Sequence, residues 1–276
     1  MITKLNSGHT IPSVGFGTYL VDPRETKDTV ALALYAGYRH IDTAQMYGNE
    51  AGVGDALVET ATNREAVFIT TKLNNGNHEP EVARRTFAES LEKLQTDYVD
   101  LFLIHWPLKM HYNGDFVSTY KVMEEFVADG RARSIGVSNF QIAHLEELLE
   151  ATDIVPAVNQ IELHPYFQNR ELAAFCQEKG IAVESWSPLG RGKELEDPVI
   201  KDIADRIGAK PSQVVLAWHR AKGYITIPKS SNRERQVENL DSLNVTLSDS
   251  DIEAIDALDK GEEGRQGPNP DTFDKI

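Results

Sequence analysis

Three features of the sequence predict a closed (β/α)8 barrel. Short β-rich runs alternate with helical segments along nearly the whole chain, with no linker-like gap between them. Counted from Val14, the β-rich runs number eight. The run Tyr98-Val-Asp-Leu-Phe-Leu-Ile-His-Trp106 is almost entirely apolar, the composition of a strand covered on both faces. Eight such units in 276 residues favour a closed barrel over an open sheet, and residues 1–276 read as a single domain.

Taken in order, residues 1–12 read as a hairpin turning at Asn6-Ser7-Gly8, and Ser13–Tyr19 as the first strand of the series. Thr26–Ala36 carries Val30, Ala33 and Leu34 at helical spacing, and Gly37 suits the position that ends a helix. A short strand then runs to Asp42, the chain turns through Tyr47, and a helix spans Glu50–Thr60. The third strand is Val67–Lys72, and the helix Glu79–Leu94 puts Ala83, Phe87, Leu91 and Leu94 on one face. After the apolar fourth strand comes a helix over Tyr120–Asp129, then Arg133–Ser138 as strand and Gln141–Ala151 as helix. Ala157–Glu162 and Ile181–Trp186 are strands flanking the helix Arg170–Lys179. Helices at Pro198–Ile207 and Pro211–Lys222 each carry proline where a helix begins and an N–H is not needed. Tyr224–Ile227 is the eighth strand, helices follow at Glu234–Leu243 and Ser248–Leu258, and the Gly-, Pro- and Asp-rich end forms an extra tail or lid. Glycines 37, 130, 180 and 223 recur between a helix and the next strand, a shared punctuation.

Composition narrows the function classes. Hydrophobic residues make up 41% and charged residues 26%, enough apolar material for a substantial core. The net charge of -15 is spread along the chain, which argues against a nucleic-acid or anionic-membrane partner. An anionic cofactor would therefore need a local basic cluster. The single cysteine, Cys176, excludes an internal disulfide and reads as a small buried hydrophobe in a helix. The N-terminus lacks the basic flank and apolar run of a signal peptide, and no run approaches the ~20 apolar residues of a membrane span, so a cytoplasmic location is expected.

In a (β/α) barrel, functional groups gather at the C-terminal ends of the strands. Those ends hold Asp42 after the second strand, Lys72 ending the third and His105 ending the fourth, with Tyr47 just beyond Asp42. Each has an ordinary explanation taken singly. Together they deliver an acid, an ammonium, an imidazole and a phenol to one rim. A free phenol has a pKa of about 10, and a neighbouring ammonium favours its phenolate, making it a better proton donor. Asp42 would hold Lys72 charged and in place, and His105 would hydrogen-bond a substrate oxygen. Such a set suits protonation of a carbonyl oxygen, a reaction that needs a hydride donor no side chain supplies.

A site for that donor lies later in the chain. Ser187-Pro-Leu-Gly-Arg-Gly192 is a turn with two glycines after the seventh strand, suited to close approach of backbone N–H groups to phosphate. Lys229-Ser-Ser-Asn-Arg-Glu-Arg235 follows the eighth strand and opens a helix, and is the basic cluster an anion requires. Gly15-Phe-Gly17 is only half of a dinucleotide fingerprint, and no P-loop is present. No His/Cys/Asp cluster has metal-ligand spacing; His105 and His111 share a loop with nothing else to support zinc.

These residues resemble the aldo-keto reductase family. Gly37-Tyr-Arg-His-Ile-Asp-Thr-Ala-Gln-Met-Tyr-Gly-Asn-Glu50 is similar to its first signature and Ile227-Pro-Lys-Ser-Ser-Asn-Arg-Glu-Arg235 to its last. Thr71-Lys72, Leu103-Ile-His-Trp106, Ser134-Ile-Gly-Val-Ser-Asn139, Asn159-Gln-Ile-Glu-Leu-His-Pro165 and Ser185-Trp-Ser-Pro-Leu-Gly190 match between them in order. The resemblance implies a (β/α)8 TIM barrel with a hairpin closing its bottom, and NADPH bound without a Rossmann domain. It implies Tyr47 as proton donor, Asp42 and Lys72 as the pair that activates it, and His105 as orienter of the carbonyl. Trp186 would stack on the nicotinamide, and Ser138, Asn139 and Gln160 would hold its carboxamide. Ser187, Leu189 and Gly190 would contact the pyrophosphate. Lys229, Ser230 and Arg235 would hold the 2′-phosphate, with Glu238 and Asn239 near the adenine. Gly17 and Thr18 would line the pocket floor, and Tyr19 and Trp106 would meet the substrate. Within the family the chain is most similar to the microbial diketogluconate reductase group, which makes a monomer and a small carbonyl substrate the expectation. Asn74 stands where those enzymes often carry a tryptophan, and Asn232 brings no positive charge to the phosphate cluster. Two rivals are a nucleotide-binding regulatory subunit on the same fold and a barrel hydrolase using Asp42 or His105; the latter leaves the basic cluster unexplained.

Overall fold

The computed structural model describes residues 1–276. Strands β1 (Ile2–Lys4) and β2 (Thr10–Pro12) pair antiparallel about the turn at Asn6–Gly8. The barrel strands are β3 (Phe16–Gly17), β4 (His40–Asp42), β5 (Phe68–Leu73), β6 (Val99–Ile104), β7 (Ala132–Ser138), β8 (Val158–Glu162), β9 (Ala182–Trp186) and β10 (Ile225–Thr226). They lie side by side in chain order and every pair is parallel. The two edges meet: Val14 bridges Thr226, Gly15 N donates to Thr226 O at 2.7 Å, and Thr226 N donates to Ser13 O at 2.9 Å. That seam closes the barrel and leaves no free sheet edge.

Helices α1 (Pro23–Ala36), α2 (Glu50–Glu59), α3 (Pro80–Leu94), α4 (Val117–Ala128), α5 (Ile142–Ala151), α6 (Arg170–Glu178), α7 (Pro198–Ile207), α8 (Pro211–Ala221), α9 (Arg233–Asp241) and α10 (Asp249–Asp256) make the outer ring. The largest cluster of buried apolar side chains joins outward-facing strand residues such as Ile41, Ile69, Phe102 and Ile104 to helix residues such as Val30, Phe87 and Phe126. Period-two alternation sends the other residues of each strand inward. Near the bottom these are Phe68, Leu101, Leu103, Val158 and Ile225, capped by Leu5 and Ile11 of the hairpin. Higher up the inward set turns polar, with His40, Asp42, Lys72, Gln160 and Glu184, all buried. The hairpin thus plugs one end with hydrocarbon while ionisable groups approach the other.

Several boundaries differ from those the sequence predicts. The first barrel strand shrinks to Phe16–Gly17, Val14 joining the sheet only as a single bridge to Thr226; Gly15 is pressed against the His40 ring, where a Cβ would lie 2.4 Å from Nδ1. Helix α1 begins at Pro23, not Thr26, since Asp22 accepts the Arg24 N–H as N-cap. Helix α4 starts at Val117, ahead of Tyr120, where Asp115 accepts the Ser118 N–H. The fourth strand stops at Ile104, which places His105 and Trp106 on the loop above it. Gly37, Gly130, Gly180 and Gly223 all adopt positive φ, as helix-ending residues do. No helix is long and apolar enough to cross a membrane.

The tail crosses the barrel mouth. The Glu162 carboxylate accepts the backbone N–H groups of Gln266 and Gly267 at 2.7 and 2.8 Å. Phe273 stacks on Trp106 with centroids 4.1 Å apart. His111 bonds Asp274 O at 2.6 Å, and Asn75 donates to Lys275 O at 2.8 Å.

Candidate active site

Asp42 closes β4, Tyr47 ends the 3-10 turn Gln45–Tyr47 that follows, Lys72 lies one residue before the end of β5, and His105 follows β6. The structure brings these four together at the mouth. Lys72 Nζ donates to Asp42 Oδ1 at 2.6 Å, to Thr43 O at 2.9 Å and to Tyr47 Oη at 3.3 Å. The Tyr47 ring meets His105 edge-on at 5.6 Å and Tyr19 at 5.1 Å. Gln45 anchors the turn: its amide donates to Thr86 O and Ser90 Oγ, and its oxygen accepts from Asn74 N at 2.8 Å and Asn77. The phenol is therefore held from behind by α3 and from below by Lys72.

Burial controls the electrostatics. It drives the Tyr47 phenol up to about 12, against the opposing pull of Lys72, so the hydroxyl is protonated throughout the neutral range. Desolvation outweighs the effect of the ammonium on Tyr47 in the free protein. Burial would lower Lys72, but Asp42, Tyr47 and Glu184 outweigh it and hold the ammonium above its usual range. Burial pushes Asp42 up, while Lys72 and the Gln160 amide pull it back. At 2.6 Å Asp42 and Lys72 form an ion pair at neutral pH. Burial, then Lys72, then His78 hold His105 well below its usual value, so its imidazole is neutral. His105 Nδ1 is sealed without a partner, leaving Nε2 as the nitrogen toward the mouth.

Beside this group stand the residues expected to hold a carboxamide. Ser138 Oγ donates to Gln160 O at 2.8 Å. Asn139, at φ 64°, donates from Nδ2 to His105 O and Ser138 Oγ and accepts from Trp186 Nε1 at 2.8 Å. Its amide is thus already engaged in orienting Trp186 and His105. Trp186 also packs against the tail: a Cβ on Gly267 would fall 2.4 Å from its ring. Tyr19 is 55% exposed at the rim and Trp106 is buried under Phe273, so the tail narrows the substrate side. Gly17 approaches Ile227 O too closely for any side chain, and Thr18 Oγ1 donates to Asp42 O at 3.0 Å.

Ser187, Gly190, Arg191 and Gly192 all have positive φ, which folds the loop after β9 into a tight turn. Gly190 admits no side chain because Glu194 lies against it, 2.3 Å from a notional Cβ. After β10, Lys229, Arg233 and Arg235 are exposed and form no ion pair, in a chain of net charge -15. Asn232 caps α9 by accepting the Arg235 N–H at 3.0 Å, and Ser230 accepts the Asn232 N–H. Glu238 is half-buried and Asn239 buried on the same helix, while Leu189 is half-buried on the loop after β9. Unpaired cations at a helix N-terminus beside a glycine-bearing turn fit an anionic dinucleotide.

Two interior groups are less visible in the sequence. Glu184 lies on β9 two residues before Trp186 and is fully buried. Its signal was an acid inside an apolar strand, in register with Trp186. His164 contacts Glu162 and Glu194, both buried beneath the tail. Its signal was weaker, since Glu-Leu-His-Pro also reads as a loop.

A model described as the aldo/keto reductase family matches residues 13–260. The chain is 44% identical to a glyoxal reductase of Bacillus subtilis, with 97% of this chain and 95% of that protein covered. It is 43% identical to the methylglyoxal reductase DkgA of Escherichia coli, covering 99% and 98% of the two chains. The crystal structure of apo Gox0644 superimposes with TM-score 0.94 at 42% identity over 99% of this chain and 98% of that one; a Gox0644 mutant was solved in complex with NADPH. The protein belongs to the aldo/keto reductase family of nicotinamide-dependent oxidoreductases.

Proposed function

We propose that the protein reduces small aldehydes and ketones to alcohols with NADPH, with Tyr47 as the acid. The observation that carries this reading is the chain Asp42–Lys72–Tyr47, buried at Asp42 and Lys72 and half-buried at Tyr47, lying directly beneath His105. NADPH, when bound, would supply the hydride for the carbonyl carbon. Tyr47 Oη gives its proton to the carbonyl oxygen. A phenol near 12 is protonated before the reaction, and the Lys72 ammonium at 3.3 Å stabilises the phenolate charge as it develops. Asp42 keeps Lys72 charged and aimed. Neutral His105 hydrogen-bonds the carbonyl oxygen from Nε2 without competing as an acid.

The preference for NADPH rests on Lys229, Ser230 and Arg235 at the start of α9 as the 2′-phosphate site. The substrate side is narrow because Phe273 covers Trp106. That width, and the names of the glyoxal and methylglyoxal reductases, favour small oxoaldehydes, with diketogluconate-like sugars acids at the upper size. We further take residues 1–276 to work as one domain and as a monomer.

Tyr47→Phe tests the assignment. Loss of a general acid and its charge-assisted bond is expected to lower kcat/KM by about 10³-fold or more, with the NADPH Kd changed less than about 2-fold. A Phe variant that reduced methylglyoxal at the wild-type rate would sink it.

A further inference from the structure

We propose that Glu184 is a positioning residue for the reaction: through Gln160 it braces the Asp42–Lys72 pair and turns the Gln160 amide oxygen toward the pocket where a ligand's carboxamide would sit. The inference rests on the reductase reading above and extends it to a residue that touches neither substrate nor cofactor.

Glu184 Oε2 accepts from Gln160 Nε2 at 2.7 Å, and the same nitrogen donates to Asp42 Oδ2 at 2.8 Å. Both Gln160 N–H bonds are therefore spent on acid oxygens inside the barrel. Flipping the amide would lose both bonds and set its oxygen against Asp42. Gln160 Oε1 is the end left over: it accepts nothing within the chain and is not among the sealed atoms lacking a partner. The Gln160 backbone lies beside Ser138 and Asn139, which donate to its main-chain carbonyl from Oγ and from the backbone N–H, and Asn139 in turn holds Trp186. An outward carbonyl oxygen here accepts from a primary amide.

Glu184 has little else to do. Lys72 spends its three donors on Asp42, Thr43 and Tyr47. The other Glu184 oxygen faces His40 Nε2 at 3.5 Å without a hydrogen bond, and His40 is within 3.3 Å of Thr70. Burial first, then the Asp42 charge, push Glu184 up to about 8, and burial drives His40 down to about 3. Both shifts favour the neutral forms, and a glutamine in place of Glu184 would offer the same accepting oxygen to Gln160 Nε2.

A double-mutant cycle tests the link. Glu184→Leu, Gln160→Leu, the double variant and Glu184→Gln would be compared by NADPH Kd and by steady-state reduction of methylglyoxal, with thermal melting as a folding control. Glu184→Leu is expected to lower kcat about 10–100-fold, more than it raises the aldehyde KM, and to weaken NADPH binding several-fold. Glu184→Gln should stay within about 3-fold of wild type, and adding Glu184→Leu to Gln160→Leu should cost less than about 2-fold more. If Glu184→Leu does not fold, Glu184→Asp, one methylene short of Gln160, should show the same loss. Multiplicative losses in the double variant, a Glu184→Gln as impaired as Glu184→Leu, or an unimpaired Glu184→Asp would overturn the proposal. Absent turnover by the wild type would instead remove the reductase reading, and the cycle in NADPH Kd would still decide the Glu184–Gln160 link.

Discussion

At the ends of β4 and β5 the charges are buried and paired; after β10 they are exposed and unpaired. Asp42 and Lys72 are each no more than 2% exposed at the side chain and meet at 2.6 Å. Lys229 and Arg235 stand in solvent with no carboxylate partner. The difference matches what each region is proposed to do. A proton donor needs its surrounding dipoles fixed in advance in a low-dielectric site, where they cost nothing to reorganise during reaction. A phosphate site needs cations that are still free to neutralise an incoming anion. Pairing them beforehand would oblige the ligand to break those pairs.

The largest effect should come from breaking the buried pair. Lys72→Met removes the charge that stabilises phenolate and leaves Asp42 buried with only the Gln160 amide for company. A fall in kcat/KM of at least about 10³-fold is expected, together with a loss of stability of about 3–5 kcal/mol, the usual cost of orphaning a buried charge. Parallel kinetics and thermal melts would check both. Unchanged melting would mean that Asp42 is satisfied some other way.

The exposed region should respond differently. Neutralising Lys229 and Arg235 together should weaken NADPH binding about 10–100-fold, leave NADH within about 3-fold, and leave melting unchanged, since surface charges without partners contribute little to stability. The NADPH Kd of the wild type should also rise with ionic strength more steeply than that of the double variant. Fluorescence titration with each cofactor reads both. Equal losses for NADPH and NADH would remove the 2′-phosphate assignment.

The same contrast explains what was legible in the sequence. Strand ends in a barrel point one way, so Asp42, Lys72 and His105 were legible from register alone, and Tyr47 from its place on the next turn. The basic cluster was legible because free cations stand out in an acidic chain. Groups whose partners come from distant strands were not. Glu184 pairs in register with Gln160 on the adjacent β8, but Gln160 then meets Asp42 from β4 across the barrel, a contact that only the curvature of the sheet produces. The tail likewise read as a lid or a loose end, because its seat is made by Glu162, Trp106 and Asn75 from three separate loops and strands. Helix starts at Pro23 and Val117 were misplaced where capping by Asp22 and Asp115 outweighed the apolar spacing used to find them.

A third arrangement of charge lies between these two, and it predicts the smallest effect. His164 is buried with Glu162 Oε1 at 3.0 Å from Nε2 and Glu194 beside Nδ1, the latter an ion contact out of line for a hydrogen bond. Burial alone would lower the imidazole, but the two carboxylates raise it above its usual value. A cation whose folded-state pKa is raised contributes fully below the unfolded value of about 6.5, and the contribution is lost as pH climbs through the folded value. Glu162 also carries the tail at Gln266 and Gly267, so losing the imidazolium loosens the segment that narrows the pocket. The aldehyde KM of the wild type is therefore expected to rise about 3–5-fold from pH 6.5 into the alkaline range, roughly 1 kcal/mol of lost tail contact, while kcat changes less. His164→Gln, which cannot carry the charge, should show the raised KM at every pH. A wild-type KM flat across that range, matched by the variant, would mean that the tail is held by its backbone bonds and the Trp106–Phe273 stack without help from the buried charge.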